Sequence, residues 1–327
     1  MKSKKSILVI GGCGYIGSHM VKHLLEAGHH VTVLDDLSSG FQDSLLGGEL
    51  IIADCGDRTA LDTLFSSHKF NGVLHFASLI QVGESVLNPA KYYQSNVAKT
   101  LTLIEAMKDH NVGPLVFSST AAVFGEPLYI PIDEKHVRAP INPYGMTKHM
   151  VENMLSDFDH AYGLRSVALR YFNASGADPS GRIGERHEPE THLIPLALQA
   201  VLGRKPALKV FGRDYETADG TCIRDYIHVD DLAEAHLLAL EYLWNDGEST
   251  AFNLGNGAGF SVQEVLDAVM EVTGRLVPIE DAPRRAGDPA VLIADASNAH
   301  KILGWQPKYS QLEVIVRHAW LWESQRA

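Results

Sequence analysis

The stretch KSILVIGGCGYIGSHMVKHLLEAG, residues 5–28, decides the fold. An unbroken apolar run, SILVI, meets glycines at positions 11, 12, 14 and 17, and apolar residues then recur at helical spacing up to Gly28. Strand, tight turn, helix is the local structure that suits this order. A strand with no polar alternation is covered on both faces, which requires a parallel sheet with helices on either side.

Working outward, the same alternation repeats. HVTVLDD, ELIIAD, GVLHFA, PLVFSST and RSVALRYFN read as strands. Helices are expected near 59–67, over AKYYQSNVAKTLTLIEAMKDH after Pro89, and over YGMTKHMVENMLSDFDHAYG behind Pro143, a residue tolerated in a first helical turn. After Asn173 the character changes. Residues 174–223 are rich in Gly, Pro and charge and read as loops with one helix near 192–202. CIRDYIHV then reads as a strand, and a helix follows that Asp230 and Asp231 are expected to cap. AFNLGNG is a strand and turn, and Ser261 is the expected N-cap of SVQEVLDAVMEVTG. The expected fold is α/β: a Rossmann-type doubly wound parallel sheet with a smaller C-terminal α/β substrate-binding lobe. The dinucleotide part is assigned to 1–173 plus 224–255, and the lobe to 174–223 plus 256–327.

Composition narrows the function. The chain has 327 residues, 45% of them apolar and 21% charged, with a formal net charge of −12. A nucleic-acid partner is not expected, because neutralising phosphates needs a basic face. The apolar run at 7–10 is too short for a secretion leader, and no stretch reaches the ~20 apolar residues of a membrane span. Three widely spaced cysteines, Cys13, Cys55 and Cys222, argue against a disulfide framework and fit a reducing cytoplasm. No metal site is expected.

The glycines are spaced Gly-x-x-Gly-x-x-Gly, at Gly11, Gly14 and Gly17. Such a loop lets backbone approach a pyrophosphate, with the helix N-terminus facing the negative charge. A merely structural turn is the alternative, weakened by the strand and helix on either side. Asp35 ends the next strand 18 residues beyond Gly17, near the ~20 expected for an acid on the adenosine ribose. A carboxylate there repels a 2′-phosphate and favours NAD over NADP. A turn-capping role is its bland alternative.

Tyr144 and Lys148, at i and i+4 behind Pro143, share a helix face. A phenol is a poor base at its usual pKa of ~10. A nearby ammonium together with an oxidised nicotinamide is expected to favour the phenolate. Thr120 ends PLVFSST at the carboxyl edge of the sheet, where ligands bind, and can hold the alcohol that Tyr144 deprotonates. A solvated helix face and a helix cap are the alternatives for these residues. The order glycine loop, acidic strand end, Thr strand end, Tyr-x-x-x-Lys speaks for hydride transfer.

The set GGCGYIGSH, HFAS, VGESV, FSSTAAVFG, NPYGMTK, LRYFNASGA, DGTCIRDYIHVDDLA, FNLGNG and RRAGDP resembles the extended short-chain dehydrogenase/reductase family, essentially end to end. The resemblance implies Tyr144 as base, Lys148 as its modulator and Thr120 as hydroxyl partner. It implies that Tyr15, Ile16, Asp35, Asp54, Cys55, Phe76, Ala77 and Lys148 line NAD, with Asn96 supporting the site and Phe172 beside both ligands. It implies a UDP-sugar substrate met by Asn173, His192, Leu193, Lys209, Phe211, Arg224, Tyr226, Arg285 and Asp288. Arg224 and Arg285 suit the diphosphate through charge-assisted bonds, surface ion pairs being the alternative. Four positions depart from the common pattern: Ile80 for a lysine, Phe124 for a tyrosine, His192 for an asparagine, and Leu292 at a position that gates N-acetylated sugars.

The implied chemistry is reversible inversion at C4 of UDP-glucose and UDP-galactose through a 4-keto sugar, with NAD retained and the protein a homodimer built on a four-helix bundle. A 4,6-dehydratase would need an acid next to Thr120, where Ala121 and Ala122 stand. Other UDP-sugars, N-acetylhexosamine or pentose, remain alternatives, as does a non-enzymatic NAD-sensing protein.

Overall fold

In the computed structural model, which describes residues 4–285 and 289–326, the opening stretch forms strand β1 (Ser6–Ile10) and helix α1 (Tyr15–Glu26). Gly28, at φ +85°, takes the left-handed position just past the end of α1 that a side chain resists. The first half continues as β2 (His30–Asp35), β3 (Glu49–Ile52), α2 (Arg58–Ser67), β4 (Gly72–His75), α3 (Val82–Leu87), α4 (Pro89–Tyr92), α5 (Lys99–Asp109), β5 (Leu115–Ser118), α6 (Pro143–Tyr162) and β6 (Ser166–Tyr171). The rest comprises β7 (Asn173–Ser175), α7 (Leu193–Val201), β8 (Leu208–Phe211), β9 (Ile223–Arg224), β10 (Tyr226–His228), α8 (Val229–Trp244), β11 (Thr250–Leu254), β12 (Phe260–Ser261), α9 (Val262–Thr273), β13 (Ile279–Ala282), β14 (Val291–Leu292) and α10 (Leu312–Gln325).

Seven of these strands make one all-parallel sheet in the order β11-β6-β5-β4-β1-β2-β3. The chain winds one way from β1 and the other way from β4, so adjacent β1 and β4 mark the switch point, where α/β sheets open a ligand crevice. One face of the sheet packs against α1 and α8 around Ile7, Val9, Met20, Leu24, Leu232 and Leu240. The other face packs against α2, α5 and α6 around Leu8, Ile10, Phe65, Leu103, Phe117 and Val151. Residues facing either way along β1 are thus buried, which is why SILVI carries no polar alternation. A separate core joins α7, α9 and α10 around Leu198, Val265, Val269 and Ile315. Trp305, fully buried and bonded through Nε1 to the Asp231 carbonyl, fastens the later chain to the first core.

The structure corrects several expected elements. CIRDYIHV is not one strand. Its two halves part at Asp225, whose carboxylate accepts from the amides of Asn256 (2.7 Å) and Ala294 (3.2 Å), and they join different sheets. RSVALRYFN divides likewise at Phe172. Residues 174–223 hold more than loops, since β8 pairs in parallel with β13. Asp230 and Asp231 do not cap α8; His228 does, accepting from the Asp230 amide. Asp230 instead pairs with buried Lys22 at 2.8 Å, and Asp231 accepts from the amides of Lys308 and Tyr309. Tertiary partners took these carboxylates from a local role. Ser261 caps α9 as expected, in a full capping box with Glu264.

Candidate active site

The glycine loop lies at the carboxyl end of β1 and is packed too tightly for a side chain at Gly11, Gly12 and Gly17. A Cβ on Gly11 would stand 2.5 Å from the Ala77 amide nitrogen, and one on Gly17 would stand 2.1 Å from the Gly11 carbonyl oxygen. Gly14, the residue before α1, gives that helix no side-chain cap, so its first amides remain for a ligand. This cradle fits a dinucleotide's pyrophosphate. At the end of β2, Asp35 braces the loop, accepting from the amides of Cys13 (2.8 Å) and Leu37 (2.9 Å). Burial raises the Asp35 carboxyl above its usual range while these two bonds oppose it. Each oxygen keeps a second lone pair for a ribose hydroxyl.

Neighbouring strand ends bring the other cofactor candidates together. Phe76 and Ala77 follow β4, and their amides donate to the Ile10 carbonyl at 2.8 and 3.2 Å. Tyr15 opens α1, its hydroxyl donating to the Gly176 carbonyl, and Ile16 packs against the first core. Cys55 is buried in the second core, and burial pushes its thiol up to about 12. The Asp54 carboxylate takes the Lys99 ammonium at 2.5 Å and the Gly56 amide at 2.8 Å, partners that sequence reading did not foresee.

The chemistry-bearing groups meet beyond β5. Thr120 is 8% exposed, and its hydroxyl caps the short turn Ala121–Val123 and faces the Tyr144 hydroxyl closely enough to favour the phenolate. Asn142 caps α6 by accepting from the Gly145 amide, which sets Tyr144 in the first turn. Lys148, one turn on, is buried, and its ammonium donates to the Ser118 carbonyl at 2.8 Å and lies over the Phe117 ring. Another turn on, Glu152 accepts two bonds from buried Arg170 at 2.9 and 2.6 Å and one from Ser119 at 2.6 Å. Tyr144, Lys148 and Glu152 thus form one stripe on α6, clamped to the ends of β5 and β6.

The ammonium of Lys148 does not by itself hold Tyr144 low. Burial raises the Tyr144 phenol above its usual value, and the Thr120 hydroxyl only partly opposes it. Lys148 feels burial more strongly and falls to about 7, with Glu152 pulling the other way. An amine so poised sheds its proton readily, and a second positive charge beside the phenol is needed to favour the phenolate.

Asn96 supports the site from a π-helical segment, Tyr93–Ala98, set within the long helix between α4 and α5. Its side chain accepts from the Leu79 amide (2.9 Å), donates to the Leu79 carbonyl (3.0 Å) and donates to Thr147 (3.1 Å). It ties the loop after β4 to α6. Departing Ile80 is exposed, and Phe124 is buried under the Arg170 guanidinium.

The substrate-side candidates gather less completely. Phe172 and Leu292 each pack against the cluster of Val123, Phe124 and Ile132. Asn173 donates to the Asp225 carbonyl, and Leu292 pairs in register with Arg224 on β9. Tyr226 is buried on β10, and Lys209 is exposed on β8. The Arg285 guanidinium lies 4.0 Å from the centre of the Phe211 ring, at the edge of an open cleft that Arg284, Glu126 and Ile130 share. Leu193 opens α7. Asp288 lies outside the described residues. His192 faces Glu185 and Glu190; burial alone would lower its pKa, but the two carboxylates outweigh it and raise it to about 10. Sequence reading missed that grouping and the Glu152–Arg170 clamp. The spacing E-x-H-x-x-E-x-H within GERHEPETH was the available signal for the first.

Comparison with known proteins sets this site in context. The NAD dependent epimerase/dehydratase family model matches residues 7–255. A UDP-glucose 4-epimerase of Halalkalibacterium halodurans is 54% identical over 98% of this chain and 96% of its own. The crystal structure of UDP-glucose 4-epimerase from Brucella ovis in complex with NAD is 48% identical, superposes with a TM-score of 0.95 and covers 97% of both chains. The UDP-Glc/GlcNAc 4-epimerase of Campylobacter jejuni is 44% identical at a TM-score of 0.87, covering 98% of this chain and 100% of its own.

Proposed function

This chain belongs to the NAD dependent epimerase/dehydratase family, and from that premise we propose that it interconverts UDP-glucose and UDP-galactose by inversion at C4. The observation that carries the reading is Thr120 set beside Tyr144, with Lys148 one turn further along the same helix, at the carboxyl edge that also bears the glycine loop.

The chain's own residues divide the work. Gly11, Gly14 and Gly17 clear the backbone for the pyrophosphate, Tyr15 and Ile16 begin the helix that faces it, and Asp35 takes the adenosine ribose. NAD, when bound, supplies a hydride acceptor and donor for C4 and a positive charge close to Tyr144. Tyr144 removes the proton from the sugar 4-hydroxyl while Thr120 holds that oxygen, which requires both within hydrogen-bond reach of it. Lys148, its charge already costly to keep, supports the phenolate and relays the proton back. Arg224 and Arg285 grip the diphosphate, with Asn173, Lys209, Phe211, Tyr226 and Asp288 around the nucleotide. The UDP end stays anchored while the 4-keto sugar turns and presents its other face.

Residues 1–173 plus 224–255 act as the NAD-binding part and 174–223 plus 256–327 as the sugar-binding lobe. The separate cores support this division, and Trp305 straps one to the other. A homodimer completes the reading, supported by Tyr93, Leu101 and Met150, large apolar side chains exposed along the two long helices. Cys13, Cys55 and Cys222, buried and joined in no disulfide, accord with a cytoplasmic setting. Among the described residues no helix is long and apolar enough to cross a membrane.

Purified protein given UDP-galactose without added NAD is expected to form UDP-glucose, because the cofactor stays bound. No conversion with NAD supplied in excess would overturn the reading. Parallel assays with the N-acetyl forms measure what Leu292, packed on the same apolar cluster as Phe172, admits.

A further inference from the structure

The segment GERHEPETH, residues 184–192, leaves the sugar lobe's first loop and enters α7. It draws Glu185, His187, Glu190 and His192 together so that one ligand atom from each lies within 4.8 Å of all the others. Both imidazoles present Nδ1 to the same two carboxylates. His192 Nδ1 stands 2.5 Å from Glu185 Oε1 and 3.3 Å from Glu190 Oε1. His187 Nδ1 stands 3.3 Å from Glu185 Oε1 and 3.6 Å from Glu190 Oε2. None of the four acts in the chemistry at Tyr144.

Two features separate this cluster from an ordinary ion-pair network. The carboxylates are deeply buried, with side chains 5% and 4% exposed. Yet Glu185 Oε1, His187 Nδ1 and His192 Nδ1 are buried atoms that face one another and Glu190 without making a well-formed hydrogen bond. Buried polar atoms are nearly always hydrogen-bonded, and three that converge on one point without well-formed bonds mark a place for something that bonds them all. The scaffold is also rigid. Glu190 Oε1 is fixed by the amides of Thr191 (2.7 Å) and His192 (2.9 Å). The Glu185 carbonyl is held by Trp322 Nε1 at 2.9 Å from α10. The Tyr15 ring packs edge-on against His187, 6.2 Å between centroids.

We propose that Glu185, His187, Glu190 and His192 bind a divalent transition-metal ion, zinc in the first place, in a closed four-ligand structural site. Two imidazoles and two carboxylates are a zinc donor set, and bonds of about 2.0–2.2 Å to a central ion put tetrahedral ligand atoms about 3.3–3.6 Å apart. Three of the four spacings above already have that size. Four protein ligands leave no open coordination position, so the ion's role is to hold. It pins the loop that carries His192 and Leu193 to the start of α1 through Tyr15. The sequence reading expects no metal; the site arises only when the loop folds back between α1 and α10.

The test uses full-length protein carrying no histidine tag. After incubation with one equivalent of zinc sulfate and desalting, wild-type protein retains about one zinc per chain by ICP mass spectrometry, and the cobalt-substituted form shows the visible bands of a tetrahedral site. The double variant His187→Asn/His192→Asn loses at least nine-tenths of the metal while keeping its far-UV circular dichroism. Should that variant not fold, Glu185→Gln is expected to lower retention in the same way. Wild-type protein that leaves the column metal-free, or a folded variant that keeps as much zinc as wild type, overturns the proposal. Because metal content is read without UDP-sugar turnover, the result stands apart from the proposed activity.

Discussion

At the scale of single residues, Tyr144 carries the greatest weight. Its hydroxyl faces Thr120, and burial holds the phenol up, so the group is neutral until positive charge reaches it. Tyr144→Phe is expected to cut kcat for UDP-galactose by about 10²–10⁴-fold, the value of a lost acid–base group. NAD released on denaturation should stay at the wild-type amount, since the glycine cradle is untouched; a near-normal rate would remove Tyr144 from this role. Tyr144, Lys148, Thr120 and the glycines were legible in the sequence because each acts within a local motif, a turn or one helical step. The partners that tune them were not. Lys148 donates to Ser118, thirty residues earlier in the chain, and Asp54 takes Lys99, forty-five residues later. No local spacing encodes such pairings.

Among the elements, the helix from Pro89 to Asp109 shows how a regular pattern hides a functional irregularity. Its apolar spacing reads as one continuous helix, yet Tyr93–Ala98 is π-helical and turns Asn96 toward Leu79 and Thr147. π segments of this kind recur at functional sites. Asn96→Ala leaves the Leu79 amide and carbonyl without this partner. The expected loss in urea unfolding is about 1–3 kcal/mol, the cost of buried groups left unsatisfied. Activity should fall further than stability explains, because Thr147 stands next to Lys148; stability and rate both at wild-type levels would show that the tie is idle. The break at Asp225 was illegible for a related reason: it is imposed by the amides of Asn256 and Ala294, from later in the chain, closing on one carboxylate.

For the molecule as a whole, the doubly wound sheet was legible because most of its apolar runs are separated by helices, and burial on both faces demands that pattern. The small sheets of the later chain were not, being built from strands of two to four residues whose pairing is tertiary. Interior histidines give the fold a dependence on pH. His236 is fully buried against Phe76, and desolvation lowers its pKa to about 4. His75 behaves alike, at about 3. An unfolded imidazole titrates near ~6.5. The stability of keeping His236 neutral is therefore complete above that pH and is lost as pH falls toward about 4. His236→Gln should flatten the slope of unfolding free energy across this window by up to ~1.4 kcal/mol per pH unit, one proton's worth. Urea midpoints at several pH values check this, and an unchanged slope would exclude His236 as a contributor.

The last strand of the central sheet, β11, is laid beside β6 only when residues 250–254 exist. On a ribosome, a nascent chain that has reached Tyr171 already contains six of the seven strands but shows β6 as an open border. Such borders invite pairing between separate chains. Once β11 arrives, Glu134 accepts its Asn253 amide at 2.9 Å and seals the new outer margin. Translation stalled between these two points would leave a half-made product prone to clumping, whereas the finished protein carries its own stopper.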